Sequence, residues 1–317
     1  MGDEATEHPS GPELPGPLVG VDWLARRLGG PGLVVLDASV GAHRGGERRI
    51  PGARAFDIDG ALSDHSGPLP HTMPDAARFT EELRALGVNG SDTVVVLDGA
   101  GVYSSARAWW MLRAMGFDRV AVLDGGLPAW ADAGLPLESA RPEPAPVSGD
   151  FTARPRPGMF VGADEVAAAL ADPAAVVLDA RTRERFTGTV AEPRPGLRAG
   201  HMPGAVNLPF GELRSDGRMR PADELRAVFA ALAGERERLV LSCGSGVTAC
   251  VLALGAELAG YRGQAVYDGS WSEWGLPSRR PVVTGADGAP PAPCPGLSRR
   301  TPRSPSGAEP CRSAAHG

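Results

Sequence analysis

The chain contains no lysine, so all 32 of its basic side chains are arginines. That excludes an amine nucleophile for Schiff-base chemistry and the lysine of a phosphate-binding P-loop. Cysteine is scarce, with four in 317 residues. This is too few for a disulfide scaffold, and no pair has zinc-ligand spacing beside a histidine cluster. No apolar run approaches the roughly 18 residues that a membrane span needs, so no membrane is expected as a partner. The N-terminal stretch MGDEATEHPSGPELPGP has neither the basic start nor the apolar core of a secretory leader. A cytoplasmic location is therefore expected. A loose myristoylation pattern at Gly2 and Thr6 is read as chance, since two acids follow Gly2 directly. Basic clusters are also missing, and the net charge is −6. Nucleic acid is not an expected partner for such a chain.

What is present is apolar content, turns and a repeat. Hydrophobic residues make up 42%, enough for buried cores. The 43 glycines and 31 prolines predict many turns. At roughly 150 residues per domain the length suggests two domains. The pattern agrees. LVVLDASV, IPGARAFDI, TVVVLDGAGV and AVLDGGLPAW in the first half recur in order as AVVLDARTR, MPGAVNLPF, RLVLSCGSGV and AVYDGSWSEW in the second. Asp37 thus corresponds to Asp179, Asp98 to Cys243 and Asp124 to Asp268. The second half carries an insertion near 189–200. A period this long marks a duplicated domain, because solenoid units are only about 20–50 residues.

Short apolar runs such as VVVL and LVLS read as strands buried on both faces. Helices are predicted over Asp75–Leu86, Ser104–Met115, Ala163–Leu170, Ala222–Leu232 and Thr248–Ala259. Strand–helix alternation implies an α/β fold, each half a mostly parallel sheet with helices on both faces. The expected organisation is a flexible extension over 1–17, one domain over 18–140, a Pro-rich linker over 141–157, a second domain over 158–284 and a disordered tail over 285–317.

Among the cysteines, Cys294 and Cys311 lie in that tail, and Cys250 sits among Ala, Val and Leu as a small core residue. Cys243 is different. It ends a predicted strand and opens Cys243-Gly244-Ser245-Gly246-Val247-Thr248, which leads into a predicted helix. Two glycines let the main chain curl so that N–H groups converge, and the helix start adds positive potential. A thiolate is favoured there. A buried thiol at a strand end is the plain alternative, but packing has no need of a Gly-x-Gly curl. A cysteine phosphatase needs an Arg six residues beyond its Cys, and this chain has Ala249 there. The first half has Asp98 at the matching place and so lacks the nucleophile.

On the Pro-Gly-Ala blocks, the Asp-Gly-Gly and Asp-Gly-Ser blocks and the Cys loop, the chain resembles the two-domain rhodanese-like sulfurtransferases from about Leu18 to Val283. The wording CGSGVT is closest to the 3-mercaptopyruvate sulfurtransferases. Thiosulfate sulfurtransferases usually carry basic residues after the Cys, where this chain has Gly244 and Ser245. The resemblance implies that Arg185 and Arg194 bind a carboxylate and keto oxygen, a role that suits the planar guanidinium fork. It implies that Ser245, His71 and Asp59 form a proton relay. It implies that Gly244, Gly246, Val247 and Thr248 contact the substrate. Sulfur from 3-mercaptopyruvate would pass through a Cys243 persulfide to a thiol acceptor such as thioredoxin, or to cyanide. No metal or organic cofactor is implied. Thiosulfate as donor, and a non-enzymatic sulfur-carrier or regulatory module, are the alternatives.

Overall fold

The computed structural model describes residues 9–139, 144–234, 236 and 238–286. Two five-stranded parallel sheets dominate it. In the first, strands run in the order Leu18–Val19, Val120–Leu123, Thr93–Leu97, Leu33–Asp37, Arg54–Ala55. The second repeats that order with Phe160–Val161, Ala265–Tyr267, Arg238–Ser242, Ala175–Asp179 and Val206–Asn207. The central strands are buried along nearly their whole length, as expected for parallel sheets covered on both faces. The predicted helices form over Ala76–Ala85, Ser105–Ala114, Ala163–Ala171, Ala222–Ala233 and Ala249–Leu258.

The two sheets are welded through their helices. Ser105–Ala114 and Ala249–Leu258 are apolar on nearly every side, the mark of a helix inside a core. They pack against each other, so Trp109, Trp110 and Met111 share one apolar cluster with Leu252, Leu254 and Phe229. Arg113 and Glu257 pair between these helices at 2.8 Å. This arrangement brings loops of the first half over the carboxyl ends of the second sheet's strands, where ligands bind in open α/β folds.

One expectation needs revision. Residues 9–17, predicted to be part of a flexible extension, are tied to the first sheet. Gly11 N–H donates to Ser91 O at 3.0 Å, and Thr93 Oγ1 donates to Pro12 O at 2.7 Å. The Pro-rich linker is anchored by one aromatic, since Phe151 packs edge-on against Phe79 and Phe117 at centroid distances of 6.2 and 5.6 Å. Gly2, Thr6, Cys294, Cys311 and nearly all of the predicted tail lie outside the described residues. Among the described residues, no helix is long and apolar enough to cross a membrane.

Candidate active site

Cys243 directly follows the central strand Arg238–Ser242 and is almost fully buried. The loop behind it curls at Gly246, whose φ of +76° a larger residue would adopt only with strain. There is also no room for one. A Cβ there would meet Asp268 O at 2.8 Å and Arg107 Nη1 at 2.9 Å. The curl then runs into the helix Ala249–Leu258, whose positive end faces the thiol's loop.

The main-chain donors of this loop divide into two sets. Cys243 and Gly246 each donate to Ser270 Oγ at 3.1 Å, and the Ser270 hydroxyl donates to Tyr267 O at 2.7 Å. The N–H groups of Gly244, Ser245, Val247 and Thr248 have no acceptor among the described residues. Gly246 was expected to contact substrate. In the structure its N–H is held by Ser270.

That cavity is about 350 Å³ and is lined by Asp59, His71, Tyr103, Arg185, Arg194, Cys243, Gly244, Ser245, Val247 and Thr248, among others. Two distant segments close it. His71 Nδ1 is 2.9 Å from Ser245 Oγ, and His71 Nε2 is 2.9 Å from Asp59 Oδ1. With Asp59 as an obligate acceptor, the neutral ring carries its proton on Nε2 and accepts from the Ser245 hydroxyl. Burial pushes the His71 imidazole below its ordinary titration range, and the bond to Asp59 opposes this. Asp57, two residues before Asp59, pairs with Arg44.

Arg185 reaches the loop from the short helix Arg183–Thr187. A Cβ at position 244 would lie 3.1 Å from Arg185 Nη2, so glycine at 244 makes room for the guanidinium. Glu192, 2% exposed, accepts from Arg185 Nη2 at 2.5 Å and from Arg181 Nη1 at 2.9 Å. Arg194 donates to Ser272 Oγ at 3.4 Å and has no carboxylate in ion-pair reach among the described residues. Cys250 behaves as a core residue, with its thiol pushed up by burial to about 12. No group of three or more metal-ligating side chains occurs among the described residues.

Sequence reasoning missed four supporting residues. Arg107 is fully buried and reaches across from the first half. It donates to His71 O at 2.6 Å, to Asp268 Oδ1 at 2.7 Å and to Gly246 O at 3.4 Å. Asp268 Oδ2 in turn accepts from Met73 N–H at 2.8 Å. Asp268 and Ser270 sat within the Asp-Gly-Ser block, which was read only as a repeat marker. Glu192 lay in the insertion between the two arginines. Arg107 had no signal, being one polar residue in an Ala/Trp/Met helix.

Comparison with known proteins places this geometry in a family. The rhodanese-like domain model matches twice, over residues 20–133 and 162–276. A 3-mercaptopyruvate sulfurtransferase of Escherichia coli K12 is 41% identical over 275 residues, which cover 83% of this chain and 96% of that protein. The human 3-mercaptopyruvate sulfurtransferase is 40% identical, covering 84% of this chain and 95% of the human one. The crystal structure of SseA from Escherichia coli superimposes with a TM-score of 0.70 at 38% identity, covering 81% of this chain and 99% of that one. With both sheets matched in order and a lone cysteine loop in the second, the chain belongs to the rhodanese-like family and is a two-domain sulfurtransferase.

Proposed function

We propose that the sulfur donor is 3-mercaptopyruvate and that Cys243 carries the sulfur as a persulfide. The observation that carries this reading is the chain Ser245–His71–Asp59 ending in the same cavity as Cys243, Arg185 and Arg194. A donor whose leaving group is a carbanion needs a proton, and this chain supplies a route for one. Arg185 and Arg194 hold the carboxylate end. The Cys243 thiolate attacks the donor's sulfur, an S–S bond forms, and the C–S bond breaks with its electron pair going to carbon. The persulfide's S–H proton passes to Ser245 as Ser245 hands its own to His71, and the imidazolium, steadied by Asp59, returns a proton through Ser245 to the carbon of the pyruvate enolate. The donor's sulfhydryl proton thus ends on pyruvate and the persulfide is left as an anion, so charge and atoms balance. The four free N–H groups of the loop stabilise the anionic persulfide as an oxyanion hole would. A thiol such as thioredoxin's, or cyanide, then removes the outer sulfur. Two free thiols among the described residues fit a reducing compartment such as the cytoplasm.

One relative, from Arabidopsis thaliana and 37% identical, is named a thiosulfate/3-mercaptopyruvate sulfurtransferase, so both donors enter the test. Intact-mass measurement after each donor separately is expected to show one added sulfur with mercaptopyruvate. Cys243→Ser abolishes it. Arg185→Ala and Arg194→Ala each lower kcat/KM for mercaptopyruvate about a hundredfold, the size of a lost charged hydrogen bond. Sulfur loading by thiosulfate alone would overturn the reading.

A further inference from the structure

Charge around the cavity is distributed unevenly. Arg185 does not offer a whole positive charge to a ligand. Its guanidinium is bound by Glu192 through Nε at 3.2 Å and Nη2 at 2.5 Å. Glu192 is nearly inaccessible and shared with Arg181, which is itself fully buried and paired with Asp179 at 2.7 Å. Asp179, Arg181, Glu192 and Arg185 therefore form a line of alternating charges that cancel. Arg181 is further fixed by stacking over Trp271 at 4.0 Å and by donating to Gly200 O at 2.8 Å. Of the remaining groups in the cavity, Arg194 carries a positive charge without a carboxylate partner among the described residues, Asp59 carries a negative one, and burial shifts His71 toward its neutral form. The Cys243 loop adds the thiolate that the reading above requires and no other charged side chain. Arg185 thus contributes directed N–H groups more than net charge.

We propose that Glu192 determines donor selectivity, tuning the cavity to donors with a single negative charge and against dianions such as thiosulfate. The inference rests on the mercaptopyruvate reading above and names the residue that enforces it. Glu192 touches no substrate. It is a positioning and charge-setting residue that acts through Arg185. With the Cys243 thiolate counted, these groups sum to a single negative charge, so a dianion meets about twice the repulsion of a monoanion, while the fork of Arg185 still recognises a carboxylate. Glu192→Gln keeps an amide oxygen to orient Arg185 but removes the countercharge.

The test measures kcat/KM for thiosulfate and for mercaptopyruvate on the same preparation of each variant, so that the folded fraction cancels from the ratio. Glu192→Gln is expected to raise the thiosulfate-to-mercaptopyruvate ratio about tenfold, as one added charge acting through a partly screened site should. The gain appears in KM for thiosulfate rather than in kcat. Glu192→Asp, which keeps the charge, keeps the wild-type ratio. An unchanged ratio in Glu192→Gln overturns the proposal, as does an equal change in Glu192→Asp. A wild-type enzyme that prefers thiosulfate instead overturns the donor reading, so the two failures are distinct. Inhibition of the wild-type enzyme gives a second measurement that needs no variant to fold. Pyruvate is expected to compete at lower concentration than sulfate, and the reverse order overturns the proposal.

Discussion

Asp98 and Cys243 stand at the same place in the two halves, each at the end of a central strand and the start of a glycine curl. Gly101 and Gly246 turn both loops with positive φ, at +100° and +76°. In the first half the curl is filled by its own acid. Asp98 Oδ1 accepts from Ala100 N–H at 2.8 Å, and Oδ2 accepts from Tyr103 and Ser105 N–H at 2.9 and 2.8 Å. In the second half two of the three corresponding donors, Ser245 and Thr248 N–H, have no acceptor among the described residues, while Cys250 N–H donates to Val247 O at 3.1 Å. The first half thus displays a loop whose donors take an anion at the strand end. Under the function proposed above, the second half leaves that place for the sulfur of Cys243.

The capping segments are exchanged between halves. Met73 N–H donates to Asp268 Oδ2 at 2.8 Å, and Met219 N–H donates to Asp124 Oδ1 at 2.9 Å. His71 and Asp216, each just ahead of these methionines, both adopt a positive φ, at +59° and +51°. Only the segment from the first half carries a histidine, and only its contact is reinforced by Arg107. The largest expected effect follows from that asymmetry. Arg107→Met leaves the Asp268 carboxylate without its buried countercharge and should cost about 3–5 kcal/mol. Asp124→Asn in the other half, which keeps an oxygen for Met219 N–H, should cost about 1 kcal/mol. Denaturant unfolding of both variants measures the difference, and equal losses would erase the distinction drawn between the two caps.

Removing the acid of the first loop is the next largest change. Asp98→Ala strands three N–H groups and should destabilise by about 2–3 kcal/mol, with turnover per folded molecule unchanged. Asp98→Cys in a Cys243→Ser background should give no mercaptopyruvate turnover, because Ala100 stands where the second half has Ser245 and so offers no hydroxyl to the His43 ring beside Gly99. Turnover by that double variant would show that the curl alone suffices.

A third contrast lies behind the loops. Gly126 in the first half and Ser270 in the second occupy equivalent places, with φ of +56° and +48°. A Cβ at Gly126 would lie 2.3 Å from Asp98 O, so glycine is required there. Ser270 accepts the strain, about 1 kcal/mol, and in return its hydroxyl holds the Cys243 and Gly246 N–H groups. Ser270→Gly relieves the strain and loses the anchor. Thermal stability should move little, while kcat/KM falls about tenfold as the loop loosens. A lowered Tm with intact kcat/KM would assign Ser270 to folding alone.

Most of this fold was legible because repetition reports it twice. The paired Asp, Pro-Gly-Ala and Asp-Gly blocks marked strand ends, and the apolar runs between them allowed no period but a buried parallel sheet. Cys243 stood out because it and Asp98 differ within a shared pattern. Legibility failed where one residue acts over a long sequence distance. Arg107 meets Gly246 and Asp268 only once the two core helices have packed, and periodicity along Ser105–Ala114 carries no trace of that. Phe151 likewise converts a Pro-rich stretch into a bound strap through contacts made to Phe79 and Phe117. A curl predicts converging N–H groups without saying which of them a neighbouring hydroxyl will take, as Ser270 takes that of Gly246.

The smallest effect expected is a shift along the pH axis, and it tests the cap's histidine directly. Burial holds His71 below its ordinary value of about 6.5, and Asp59 pulls it back up. The folded protein therefore binds the His71 proton less tightly than the unfolded chain. Its contribution to stability is present above pH about 6.5 and declines as pH falls through and below that value. Protonation also removes the lone pair that accepts from Ser245, so the acid limb of kcat/KM for mercaptopyruvate should have its midpoint below about 6.5. Asp59→Asn withdraws the carboxylate that favours the imidazolium and should move that midpoint further down. The same variant loosens the ring's tautomer and should lower kcat about tenfold. Discharge of a preformed persulfide to cyanide requires no proton at carbon and should be unaffected. Comparing variant with wild type cancels titration of the donor itself. A midpoint that rises in Asp59→Asn, or a discharge step that slows equally, would show that the His71–Asp59 contact holds the two halves together without serving proton transfer.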